Sequence, residues 1–269
     1  MPAPFLEAAR AAAGEARALT RRLRAAGFGV RRKRDGTHVT DVDEAVERAL
    51  RDRLGRTFPE HGIIGEELAE QDGAGEWTWV IDPIDGTLSL RHGLPLYGTL
   101  LALLHRGRSV LGVIDLPELD RLYVGAEGHG VTRNGEPLRL VDTVDPEPLR
   151  DEIIAVGDRA SFIAAGEGAL FDDLMQGGLT VRTYGDCFGH AMALEGGLGA
   201  LLDFNLRLWD AAASEALVRA AGGTFLARRR RDPADGGVRI DLLFGKPRVV
   251  AALEARWADR LRAVGFAPA

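Results

Sequence analysis

The segment Asp82-Pro83-Ile84-Asp85-Gly86-Thr87 is the part of this 269-residue chain best suited to chemistry. It follows Trp77 to Ile81, an apolar run that reads as a buried strand. Two acids at a strand end face desolvation unless water, donors or cations satisfy them. A turn there lets the Asp82 and Asp85 carboxylates and the Ile84 carbonyl converge, and Gly86 permits close approach of the backbone. An all-oxygen set of this kind suits a hard divalent cation. Mg2+ takes a few carboxylates and leaves its other positions to water and substrate phosphate. A helix starting near Gly86 would point free N–H groups and its positive end at an anion. The same residues also suit a turn in which Asp82 and Asp85 act only as caps.

Other acids stand at other element ends. Asp43 follows a Thr-rich turn, Glu66 and Glu67 end an expected strand, and Asp210 follows Trp209. Each has an ordinary alternative: an N-cap for Asp210, a solvated loop for Glu66 and Glu67. Spacing alone does not make them converge. The histidines (38, 61, 92, 105, 129 and 190) lack metal-ligand spacing. They argue against zinc chemistry and read as surface or packing residues.

Several elements must position these acids. An amphipathic helix is expected within Met1 to Gly27, and a second from about Asp43 to Arg56 with Thr40 and Asp41 as caps. Strands are expected at Ile63–Gly65, Trp77–Ile81, Gly98–Leu104, Val110–Leu116 and Leu122–Gly125, with a turn at Asn134-Gly135. Val141 to Pro148, with its prolines and acids, reads as a linker between an N-terminal half, 1–145, and a C-terminal half, 146–269. Beyond it, strands at Ile153–Val156, Leu179–Thr183 and Ala200–Phe204 alternate with helices near Phe162–Met175, Phe188–Glu195 and Asp210–Ala221. Early strands and late alternation point to layered helices and sheets. Arg228 to Arg231 reads as a solvated surface turn, with a substrate-steering patch as the lesser alternative.

The formal charge of −6 gives no reason to expect nucleic acid or an anionic membrane as partner. An acidic protein still binds phosphate where metal ions reverse the local sign. Cys187 is the only cysteine, which excludes an intrachain disulfide framework and fits a reducing cytoplasm. The N-terminus lacks the apolar core of a secretory signal, and no stretch approaches the ~18 apolar residues of a membrane span. A cytoplasmic location is expected.

Three blocks carry a resemblance: Gly65-Glu66-Glu67, then Trp79 through Thr87, then Trp209-Asp210-Ala211-Ala212 with Gly222-Gly223. In order and separation they resemble the inositol monophosphatase-like family of metal-dependent phosphatases, from about residue 30 to 225. The resemblance implies an α/β fold of the α+β kind, a layered αβαβα sandwich of the sugar-phosphatase type. Its two halves would form one catalytic unit, commonly a homodimer. It implies two or three Mg2+ ions held by Glu66, Asp82, the Ile84 carbonyl, Asp85 and Asp210. Asp43 and Thr87 would activate the attacking water, with Glu67 a partner of the metal through bound water. Gly86 and Thr87 N–H groups would hold the phosphate, and Lys33 would stand on a mobile loop over the site or be a plain surface lysine. No phospho-enzyme is required.

Gly185-Asp186-Cys187 and Asp203, seven residues before Asp210, fall at the family's substrate-contacting positions. Two acids there would pair with an amine. Tyr184-Gly185-Asp186, Gly93-Leu94-Pro95 and Gly98-Thr99-Leu100 look like the histidinol-phosphate phosphatase branch, whose substrate carries that amine. Alternatives are Asp186 as a cap of the following helix, inositol 1-phosphate as the substrate, and a catalytically silent metal- or metabolite-binding member. Leu88-Ser89-Leu90 and Arg228 to Ile240 depart from the family pattern.

Overall fold

A computed structural model describes residues 3–33, 36–233 and 235–268. The N-terminal amphipathic pattern forms α1 (Ala3–Ala26), followed by the antiparallel ribbon β1 (Val30–Arg32) and β2 (His38–Thr40) and by α2 (Asp41–Thr57). Helix α2 starts earlier than its apolar pattern suggests because Thr40 is its N-cap. The Thr40 hydroxyl accepts the Val42 and Asp43 N–H groups, and the Asp43 carboxylate returns to the Thr40 N–H at 2.9 Å.

Next come β3 (Gly62–Gly65), β4 (Trp77–Asp85), α3 (Thr87–Arg91), β5 (Gly98–His105), β6 (Arg108–Leu116), β7 (Arg121–Ala126), β8 (Gly130–Arg133) and β9 (Glu136–Leu138). Strands β3 to β9 form one sheet in sequential order, antiparallel except for the β3–β4 pair. The chain then forms β10 (Ile153–Val156), α4 (Arg159–Ala164), α5 (Gly168–Gln176), β11 (Thr180–Thr183), α6 (Asp186–Glu195), β12 (Ala200–Leu206) and α7 (Leu208–Ala220). It ends with β13 (Thr224–Arg231), β14 (Val238–Gly245), α8 (Pro247–Arg256), α9 (Ala258–Val264) and β15 (Ala267–Pro268). The second sheet runs β11-β10-β12-β14-β13-β15.

Two expectations fail locally. The single helix near Phe162–Met175 is two helices, because Gly166 adopts φ +82° and ends α4. Arg228 to Arg231 is no surface turn: it is the end of β13, paired along β14. The buried Asp241 carboxylate draws Arg228 and Arg230 inward.

Strand alternation sorts side chains into layers. Trp79, Ile81, Leu101, Leu103 and Val113 face α1 and α2, while Val80, Leu100, Ala102 and Ile114 face α6 and α7. Leu201, Leu242 and Phe244 cover α6 and α7 from the other side; Ile154, Leu202 and Leu243 pack outward with α4, α5 and α8. The result is the αβαβα sandwich. Each fully buried Leu, Ile or Phe contributes about 1.5–3 kcal/mol, so the inter-sheet core makes the ends of β4, β12 and α7 rigid supports. Among the described residues, no helix is long and apolar enough to cross a membrane.

Candidate active site

Strand β4 runs on through Asp82 and Pro83 to Asp85, with a register shift against β5 between Asp82 and Asp85. The expected turn is thus a bulge within a continuing strand, and it still brings both acids together. Gly86 follows at φ +80°, where a side chain would be strained and a Cβ would lie 2.8 Å from the Leu96 carbonyl. Helix α7 adds Asp210 in its first turn. One ligand atom each from Asp82, Asp85 and Asp210 lies within 4.8 Å of the others.

Asp210 and Asp43 serve in the same way. Each is an acid in the first turn of a helix that accepts a backbone N–H with one oxygen: Arg207 N on Asp210 Oδ2 at 2.7 Å, Thr40 N on Asp43 Oδ2 at 2.9 Å. Asp43 Oδ1 then accepts the Thr87 hydroxyl at 3.0 Å, a proton shared with the Ile84 carbonyl at 3.0 Å. The N-cap alternative for Asp210 is thus half right, since capping occupies one oxygen only.

Burial and mutual repulsion push these carboxyls up. Asp82 and Asp85 stand well above the usual carboxylate range, first because they are desolvated and then because acids surround them. Asp210 is pushed up to about 7 by burial, even though the Arg207 N–H pulls the other way. Asp82 Oδ1 is buried without a hydrogen-bond partner. An orphaned carboxylate oxygen facing two further carboxylates calls for a cation or a proton, and the all-oxygen donor set fits a hard divalent metal.

Glu66 lines the same cleft but stands outside the tight trio. The Lys33 ammonium bonds Glu66 Oε1 at 2.8 Å and Glu67 Oε1 at 2.7 Å, so Lys33 is not a plain surface lysine. Its neighbours Arg34 and Asp35 lie outside the described residues. Burial and the Glu66 charge hold the Glu67 carboxyl up at about 7.

The floor of acids opens into a cleft of about 720 Å3. Gly86, Thr87, Leu88, Gly185, Asp186 and Asp203 line it, with Asp186 Oδ2 close beside Gly86. Asp186 opens α6 at φ +53° and makes no capping bond; Gly185 is the N-cap residue. Capping therefore does not account for Asp186. Burial, followed by the Asp203 charge, lifts its carboxyl to about 6. A register shift in β12 between Asp203 and Leu206 sets Asp203 at the cleft wall.

Sequence reasoning passed over His190. It is buried at the cleft wall, with Nδ1 2.7 Å from Ser214 Oγ and Nε2 3.4 Å from Asp203 Oδ2. Reading it as a packing residue captures its burial and misses its contact with Asp203. Its four-residue offset from Asp186 on one helix was the available signal. Asp158 and Ser161, at the start of α4, also line the cleft and went unnoticed.

Comparison with known proteins adds three kinds of likeness. The sequence profile of the inositol monophosphatase family matches residues 1–264. Histidinol-phosphatase of Chlorobaculum parvum is 35% identical over 205 residues, 76% of this chain and 78% of that one. Histidinol-phosphatase of Mycobacterium tuberculosis is 34% identical over 219 residues, 80% of this chain and 84% of that one. The solved structure of inositol monophosphatase from Anabaena (Nostoc) sp. PCC 7120 superposes with a TM-score of 0.73 at 26% identity, covering 94% of this chain and 96% of that one.

Proposed function

Because this chain belongs to the inositol monophosphatase family of phosphatases, we propose that it is a Mg2+-dependent phosphomonoesterase whose favoured substrate is L-histidinol phosphate. The observation that carries the substrate choice is the pair of acids, Asp186 and Asp203, lining the same cleft as Asp82, Asp85 and Asp210. A phosphate anchored over the floor directs its alcohol part at that wall. An ammonium group there gains charge-assisted bonds to carboxylates that are otherwise buried beside each other. The names of the relatives from Chlorobaculum parvum and Mycobacterium tuberculosis agree with this reading.

Two or three Mg2+ ions held by Asp82, Asp85, Asp210, Glu66 and the Ile84 carbonyl would lower the pKa of a water, neutralise phosphate oxygens and stabilise the leaving alkoxide. The protein's own groups do the rest. Asp43 Oδ1 and the Thr87 hydroxyl orient the attacking water, and Asp43 takes its proton. Glu67 would hold water bound to the metal. The Gly86 and Thr87 N–H groups hold the phosphate where negative charge develops. Lys33 balances Glu66 and Glu67 at the rim. A homodimer acting in the cytoplasm, in histidine biosynthesis, belongs to the same reading.

Inositol 1-phosphate is the second reading. It is favoured by Asp203, which beside the His190 ring is equally suited to accept sugar hydroxyls, and by the name of the Anabaena structure. Steady-state kinetics of Asp186→Ala on both esters separates the two. Loss of one charged bond costs about 1.5–3 kcal/mol, so KM for histidinol phosphate should rise roughly 10-fold or more. KM for inositol 1-phosphate should move far less. Equal effects on both esters would remove the amine-pairing role of Asp186.

A further inference from the structure

Glu47 is a fully buried acid that takes no part in the chemistry above. It lies one helical turn beyond Asp43 on α2, so the two carboxylates share a helix face. Its Oε2 accepts the Glu67 N–H at 2.7 Å, and its Oε1 accepts the Leu68 N–H at 3.2 Å and Arg51 Nε at 2.7 Å. Arg51 closes the ring by donating to the Leu68 carbonyl at 3.1 Å. A buried acid with three donors has its hydrogen-bonding capacity met within the protein. The space it fills is also reserved for it: a Cβ on Gly65 would overlap Glu47 Oε1.

We propose that Glu47 is the positioning residue for the Glu66-Glu67 pair, presetting those carboxylates for metal before any metal arrives; this rests on the metal-site reading above. The backbone after β3 has little else to hold it at this point. Glu66 N donates to the Ile81 carbonyl at 3.2 Å, and the next backbone tie between this segment and β3 is at Gln71. Between these ties, Glu47 grips both peptide groups that follow Glu66. Lys33, just after β1, bonds both carboxylates. One rigid turn of α2, with Asp43 on Thr87 and Glu47 on the Glu67 backbone, therefore spaces the water-orienting pair from the glutamate pair.

The test is calorimetric titration of substrate-free protein with Mg2+, alongside circular dichroism, for the wild type, Glu47→Gln and Gly65→Ala. Glutamine keeps the shape but turns one acceptor into a donor aimed at an N–H. Gly65→Ala displaces the same carboxylate from a different element and leaves α2 unaltered. Loss of an outer partner of a metal ligand typically costs about 10–100-fold in metal affinity. Both folded variants should show a loss of that order, and kcat should recover when Mg2+ is raised to saturation. A folded Glu47→Gln or Gly65→Ala protein that binds Mg2+ within about twofold of wild type, even with a lower Tm, would overturn the proposal and leave Glu47 a stabilising residue only. If Glu47→Gln fails to fold, Gly65→Ala decides. Absence of Mg2+ binding by the wild type would instead defeat the metal-site reading on which the proposal rests.

Discussion

Asp82, Asp85 and Asp210 destabilise one another unless something positive joins them. A carboxyl raised in the folded state keeps protons that the unfolded chain has already released. Between the unfolded and folded values, stability therefore falls as pH rises. For Asp210 the window runs from the ordinary 3.8 to about 7, and for Glu67 from 4.5 to about 7. Metal-free protein should thus lose Tm from about pH 4 to about pH 7, and the Tm gain on adding Mg2+ should grow over the same range. Asp85→Asn should flatten that loss, because one repelling charge is gone, while abolishing hydrolysis. Thermal unfolding with and without chelator checks both; a Tm gain independent of pH would contradict the picture. The acids at the heart of this cluster were legible as residue types at element ends. His190 was legible only as a helix-face neighbour of Asp186; its contact with Asp203 comes from packing of a helix on a strand, which no sequence offset encodes.

Element ends carry most of the geometry. Thr40 both caps α2 and fixes Asp43, so one substitution tests the link between folding and chemistry. Thr40→Ala should cost about 1 kcal/mol as a lost cap. It should also lower kcat more than KM, since Asp43 Oδ2 would lose the Thr40 hydroxyl and keep only the Thr40 N–H to aim Oδ1 at Thr87. Denaturant unfolding together with steady-state kinetics checks this; an unchanged kcat in a destabilised protein would confine Thr40 to capping. Hydrophobic periodicity located α2, β4 and α7, because each buries a regular stripe or run. It joined α4 to α5, because a single left-handed glycine within an otherwise helical pattern leaves little trace in hydropathy. It misread Arg228 to Arg231 for a related reason. Four arginines look solvated until the buried Asp241 on the facing strand is known.

At the scale of the molecule, α6 and α7 are sandwiched between the two sheets, and the cleft opens where their first turns meet the end of β4. The acids of β4 thereby share a cleft with those of α6 and β12, which lie more than a hundred residues further along the chain. The sandwich itself was legible through the resemblance carried by the three sequence blocks. Periodicity alone reached only a mixture of layers, since strand order in the second sheet depends on long-range pairing. For the proposed substrate, the assembled cleft offers carboxylates that would hold metal and phosphate beside acids that would pair with an amine. Phosphate release from L-histidinol phosphate and from inositol 1-phosphate, side by side with and without Mg2+, tests this most directly. Release should require Mg2+ and strongly favour histidinol phosphate. A preference for inositol 1-phosphate would contradict the substrate reading, and release that persists without any divalent metal would contradict the role given to Asp82, Asp85 and Asp210.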